Sequence, residues 1–158
     1  FSQSALDKFE GKEEVTSIVI NKKMLEMMSQ IGSQNSDSDM QDYSKLLRKI
    51  DYMKLYTTAS GKITSQMRKA FGKYVKKGKM QELIKLSEDK QMTQIAVKMA
   101  SDGKNINEML LFSEGDSDWN PTILMLLKGN FTLQDLSSFS DKLPIPGIDI
   151  DGGVNQKL

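Results

Sequence analysis

The chain contains no histidine and no cysteine. That removes histidine-based triads, thiol nucleophiles, zinc sites of the usual ligand types, disulfides and thiol redox switching. Serine, lysine, tyrosine and the carboxylates are left to do chemistry. No SxxK or GxSxG context singles out a nucleophile among them. Three acidic groups have the spacing of a cation loop: Asp37, Asp39 and Asp42; Glu114, Asp116 and Asp118; and Asp149 with Asp151. The first lacks the glycine and distal glutamate that an EF-hand geometry requires and reads as a solvated loop; the other two are read the same way, and no metal or cofactor is expected.

One cationic run stands out. Lys62, Arg68, Lys69, Lys73, Lys76, Lys77 and Lys79 have no acid among them. A nucleic-acid surface would interleave aromatics or present a groove-reading helix, whereas Phe71 and Tyr74 fall on the apolar stripe of this segment. Nucleic acid is therefore not expected as a partner. The run reads as a solvated face whose last-turn lysines suit the helix dipole. Contact with an anionic membrane surface or an acidic partner is the functional alternative. Should a partner dock, the contact candidates are Lys69, Lys73, Lys76 and Lys77, with the single tryptophan, Trp119.

The elements that must position these groups follow from length and pattern. The 158 residues suit one domain with its own core. A net charge of +1, from 22 basic and 21 acidic residues, gives no whole-molecule field, so any electrostatic partner must meet a local patch. No apolar run reaches the length of about 18 residues needed to cross a bilayer as a helix. Phe1 rather than Met stands first, so either the sequence is a piece cut from a longer chain or processing has removed what came before, and either route would take any export signal with it.

Met92 to Lys128 organises the rest. MTQIAVKM, INEMLLFS and PTILMLLK read as three strands of an antiparallel meander, joined by turns at Asp102-Gly103 and at Gly115 to Pro121. Before it, Leu6 and Phe9 suggest a short helix ending at Gly11, and EVTSIVI is β-branched and reads as the first strand. Asn21 is placed to cap a helix with Met24, Leu25, Met28 and Ile31 on one face, ending at Gly32. Residues 33–39 read as a surface loop. Tyr43, Leu46, Leu47 and Ile50 then restore a helical period, and IDYMKLYTT alternates as a second strand. Two strands separated by helices suggest a right-handed parallel crossover.

The longest helix is expected over 62–77, with Gly78 as its stop, and MQELIKLSE as a further short helix turning Leu83, Ile84 and Leu86 inward. Thr132 with Asp135 makes a capping box, with Phe131 and Leu136 as its hydrophobic staple. A weak echo of 9–20 in 86–97 suggests an internal duplication. The expected fold is α+β: one domain over 1–143, a mixed sheet of about five strands with the C-terminal three-stranded meander at one side, and helices mainly on one face. Residues 144–158 are expected to be extended or disordered. In ILMLL, 123–127, neither alternating set is polar, which predicts an interior strand covered on both faces, by the chain itself or by a homodimer or partner.

FEGKEEVTSIVINKKML, KLLRKIDYMKLYT, INEMLLFSEGDSD and ILMLLKGNFTLQDLSSFS, in that order, resemble the domain of unknown function 4252 over roughly residues 5–143. That family occurs in exported, frequently lipid-anchored proteins of Bacteroidetes. The resemblance implies a cell-envelope location, in the periplasm or at the outer membrane, and supplies no catalytic residues. Members often begin at a lipidated cysteine, which is absent from this sequence.

The function expected is a noncatalytic envelope module that binds another envelope protein or a second copy of itself. An enzyme built on serine, lysine, tyrosine or carboxylates lacks any motif to carry it. The alternative is a small lipophilic ligand in a pocket lined by Met and Tyr, suggested by the 11 methionines, which at helical spacing more often fill a core.

Overall fold

The computed structural model describes residues 4–33, 38–88 and 91–136. Its elements run α1 (Ser4–Asp7), β1 (Thr16–Ile20), α2 (Lys22–Ser33), α3 (Ser38–Arg48), β2 (Ile50–Thr58), α4 (Gly61–Lys77), β3 (Gln81–Glu88), β4 (Gln91–Met99), β5 (Ile106–Ser113) and β6 (Thr122–Phe131). The fold is α+β. The strands form one open antiparallel sheet in the order β1-β2-β6-β5-β4-β3. The proposed tail at 144–158 and most of the loop at 33–39 lie outside the described residues.

The meander is present as read, with β4, β5 and β6 as consecutive antiparallel neighbours. Three other expectations are corrected. Among the described residues the sheet has six strands and no parallel pair, because β1 and β2 run antiparallel, with Ile18 opposite Leu55. The reason is parity. One helix between two strands returns the chain for a parallel strand, but α2 and α3 form an antiparallel hairpin that starts β2 from the opposite end. The hairpin is tied where its ends meet: Lys22, first in α2, donates through Nζ to the carbonyl of Arg48, last in α3, at 3.2 Å. Midway, the Ser44 hydroxyl donates to the Ser29 carbonyl.

The second correction concerns MQELIKLSE, which is strand β3 and not a helix. Lys79 turns the chain after α4 at φ +51, Met80 is buried, and the segment then pairs along β4 with a bulge at Leu83. A helix here would have found no core for Leu83, Ile84 and Leu86, whereas a strand gains the β4 backbone ladder; strand identity at a sheet edge follows the partner more than the propensity. Those three side chains are exposed rather than inward. The suggested duplication fails with it, since Phe9 sits in the turn after α1 while Leu86 is in a strand.

Third, helices cover both faces. On one face Leu25 of α2 and Leu46 and Leu47 of α3 pack on Ile95, Met109, Leu111, Ile123, Met125 and Leu127. On the other, Leu6 and Phe9 join Ile63, Met67, Phe71 and Tyr74 of α4 over Leu110, Phe112, Leu124 and Leu126. The two-sided burial of 123–127 is thus provided within the chain, and each fully buried leucine contributes about 1.5–3 kcal/mol. β6 runs on through Gly129 and Asn130 to Phe131, where the capping box closes: Asp135 Oδ2 accepts from the Thr132 N–H at 2.9 Å and Thr132 Oγ1 from the Asp135 N–H at 3.1 Å.

Candidate functional site

Several of the groups that could do chemistry are engaged in holding the fold. Along β2, Lys54 Nζ meets Asp7 at 2.9 Å and Glu10 at 3.5 Å, and the Tyr56 hydroxyl donates to Glu10 at 3.2 Å. Burial works against the Lys54 charge, but the Asp7 and Glu10 carboxylates outweigh it and hold its pKa above the ordinary lysine value. These contacts fasten the α1 segment onto the sheet. On β5, Glu108 is buried and accepts from the Tyr74 hydroxyl of α4. Its cross-strand neighbours are Lys98 on β4 and Lys128 on β6, and Tyr52 of β2 lies opposite Lys128. Burial, then the Glu108, Asp7 and Asp51 carboxylates, push the Tyr52 phenol far up, so it stays a neutral donor at physiological pH. The arrangement is a polar clasp between α4 and the sheet. Sequence reasoning missed it, although a glutamate sharing the phase of Leu110 and Phe112 was a signal.

The basic face of α4 is where the pattern put it. Lys69, Lys73, Lys76 and Lys77 are exposed, and Phe71 and Tyr74 are in the core. Arg68 is not free to join them, since its guanidinium holds Glu114 bidentately at 2.6 and 2.9 Å. Trp119 is 93% exposed in the β5–β6 loop. That loop adjoins the start of α4, where the Thr64 and Thr122 hydroxyls pair at 2.6 Å. Lys76 and Lys77 sit at the far end of a 17-residue helix, about 25 Å long. The structure therefore does not bring Trp119 together with those lysines.

The surface that the fold leaves open lies elsewhere, at the β1 edge. Among the described residues, β1 has a partner only in β2. Ile18, on the same sheet face as Leu55, is 44% exposed, and Val19 on the opposite face is 49% exposed. α2 was expected to bury Met24, Leu25, Met28 and Ile31 as one stripe. Only Leu25 is fully buried, with Met28 partly so, while Met24, Met27 and Ile31 are 49, 50 and 72% exposed. At 100° per residue the three form a second stripe, directed away from Ser29 and hence from α3. α2 carries apolar residues on two faces, and only one meets the core.

The opposite edge, β3, also exposes Leu83, Ile84 and Leu86. It carries Glu82, Lys85, Glu88 and the bulge at Leu83, the devices by which sheet edges resist unwanted pairing. β1, TSIVI, has no charge, no proline and no bulge. Asn21 caps α2 immediately after it, its Oδ1 accepting from the Met24 N–H at 3.0 Å, so strand and stripe are fixed in one rigid corner.

The sequence model of a family described as a domain of unknown function (DUF4252) matches residues 9–139. No curated protein and no solved structure matches the chain.

Proposed function

Since the chain belongs to the domain of unknown function 4252 family, we propose that it is a noncatalytic protein-interaction module of the cell envelope. The observation that carries this reading is the exposure of Ile18 on β1 and of Met24, Met27 and Ile31 on α2, the helix that starts two residues after that strand ends. Such a patch beside an unguarded strand edge is what interaction surfaces offer and what monomer surfaces avoid. The envelope location rests on the resemblance to exported proteins.

The lipophilic-ligand alternative would want methionine and tyrosine around an open cavity. Met67, Met80, Met109 and Met125 are instead packed in the two cores. A groove of about 620 Å³ at the start of β1 is lined mainly by polar groups, among them Glu14, Thr16, Thr57, Ser60 and Asp118. The interaction reading is therefore preferred.

A photoreactive side chain at Met27, in the exported protein in living cells, tests the proposal. A discrete protein adduct is expected there and not from the same probe at Lys45 on the exposed side of α3. Absence of any adduct at Met27, or recovery of the protein from the cytosol alone, overturns it.

A further inference from the structure

Resting on that interaction reading, we infer that the β1 edge is a self-association surface, and that a second copy of this chain pairs with it antiparallel about a two-fold axis at Ile18. Antiparallel strands joined across an edge are related by an axis perpendicular to the sheet, and paired residues then point to the same face. The axis must therefore pass beside a residue. Ile18 is the middle of β1. With the axis there, Ile18 meets its own counterpart, Ser17 meets Val19 of the second copy, and Thr16 meets Ile20 of the second copy. Uncharged side chains, β-branched at every position but Ser17, face one another throughout, the kind of cross-strand pair that stabilises sheets.

The flanks of the strand favour this orientation by charge. Glu13 and Glu14 precede β1, while Lys22 and Lys23 follow it. Antiparallel pairing about Ile18 brings Glu13 and Glu14 of one copy toward Lys23 and Lys22 of the other, twice by symmetry. A parallel arrangement would bring acid to acid and lysine to lysine. Exposed ion pairs add little affinity, but they set orientation and register. The affinity would come from apolar burial. Both copies of α2 lie on the same face of the joined sheet, and the inferred dimer brings their exposed Met24, Met27 and Ile31 stripes, directed away from α3, to the seam. One surface patch thus supplies both halves of the contact, as a closed isologous dimer requires.

The absence of native cysteine makes the test direct. In the full chain, Ile18→Cys is expected to give a disulfide-linked dimer under mild oxidation, because the two residues face each other across the axis. Ile84→Cys, on the β3 edge, is expected to form no intermolecular disulfide under the same oxidation. Glu13→Lys and Lys23→Glu, at exposed positions that leave the core untouched, are each expected to weaken dimerisation about tenfold in sedimentation velocity. Mixing the two variants is expected to restore association, since each then offers the charge that the other lacks. A chain that sediments as a monomer at micromolar concentration overturns the inference, as does cross-linking of Ile84→Cys equal to that of Ile18→Cys. If the charge variants dimerise like the parent, the two-fold register is wrong. An adduct from Met27 to a different protein, with Ile18→Cys remaining reduced, keeps the interaction reading and removes the self-association.

Discussion

The Tyr74 hydroxyl reaches from α4 into the sheet and donates to the buried Glu108 side chain, so the helix and strand β5 are joined by a buried hydrogen bond. Such a bond contributes little while intact relative to what its loss costs, because the carboxyl left behind is both desolvated and unpaired by its donor. Tyr74→Phe should therefore destabilise the fold by about 1.5–3 kcal/mol. Adding Glu108→Leu should recover part of that loss, since both groups are then apolar. Urea denaturation of the single and double variants measures this coupling. A Tyr74→Phe variant of parental stability would mean that the clasp does not hold α4.

Asp135 gives the chain an acid-sensitive contact. Burial alone would raise its pKa, but the Thr132 N–H and the Lys49 ammonium, at 3.0 Å, outweigh it and hold the carboxyl below its ordinary value. A carboxyl depressed in the folded state contributes stability that is present above the unfolded pKa, about 3.9, and is lost as pH falls through the folded value. Asp135→Ala should cost about 1 kcal/mol at neutral pH. The difference from the parent should shrink toward zero on acidification below about pH 4. A difference independent of pH would assign the effect to packing, not to the carboxylate.

β4, β5 and β6 were legible because their alternation, β-branching and turn residues agree, and neighbours in sequence are neighbours in the sheet. The capping box of Thr132 and Asp135 was legible for the same reason: its partners are three residues apart. What escaped the sequence was set by distant partners. The composition of β3 is that of a helix, and only the β4 ladder makes it a strand. On α2 two apolar stripes were read as one, since nothing local distinguishes the stripe that meets Leu46 and Leu47 from the one that meets solvent. The parallel crossover failed because two short helices, unlike one, restore the chain direction. For the site, the exposure of Lys69, Lys73, Lys76 and Lys77 followed from helical phase. The separation of Trp119 from Lys76 and Lys77 and the openness of the β1 edge followed only from the strand order.

Leu124 and Met125 are adjacent in the chain but belong to different cores, Leu124 beneath α4 and Met125 beneath the α2–α3 hairpin. Leu124→Ala and Met125→Ala should each cost about 2–5 kcal/mol. Because their side chains lie on opposite faces and pack in separate clusters, the double variant should lose the sum to within about 0.5 kcal/mol. Thermal or urea denaturation of the three variants checks this. A double variant much more stable than the sum would mean that the two layers relax together.

Lys69, Lys73, Lys76 and Lys77 are a solvated face, so changing all four to Gln should leave stability within about 0.5 kcal/mol per site of the parent. Cosedimentation with anionic vesicles should fall only at low ionic strength, where exposed charges are unscreened. If the variant loses binding to a specific partner at physiological salt, the face is a docking site in its own right.

Two glycines separate close approach from conformational freedom and make opposite predictions. Gly72 lies inside α4, where a Cβ would meet nothing within 4 Å. Alanine there keeps the helical backbone and lowers the entropy of the unfolded chain, so Gly72→Ala should stabilise by about 0.5–1 kcal/mol. Gly129 lies on β6 where it crosses the start of β2, and a Cβ would stand 2.2 Å from the Lys49 carbonyl oxygen and 2.8 Å from Ile50 Cα. Those are backbone atoms and cannot rotate away. The Lys49 carbonyl also accepts from the Asn130 N–H at 2.9 Å, so moving it would break the strand contact that leads into the capping box. Gly129→Ala should therefore cost about 3 kcal/mol or more, the upper end of what overpacking costs. Chemical denaturation of both variants is the measurement. A Gly129→Ala protein as stable as the parent would show that β2 and β6 do not approach this closely, and the placement of Asp135 against Lys49 would have to be revised with it.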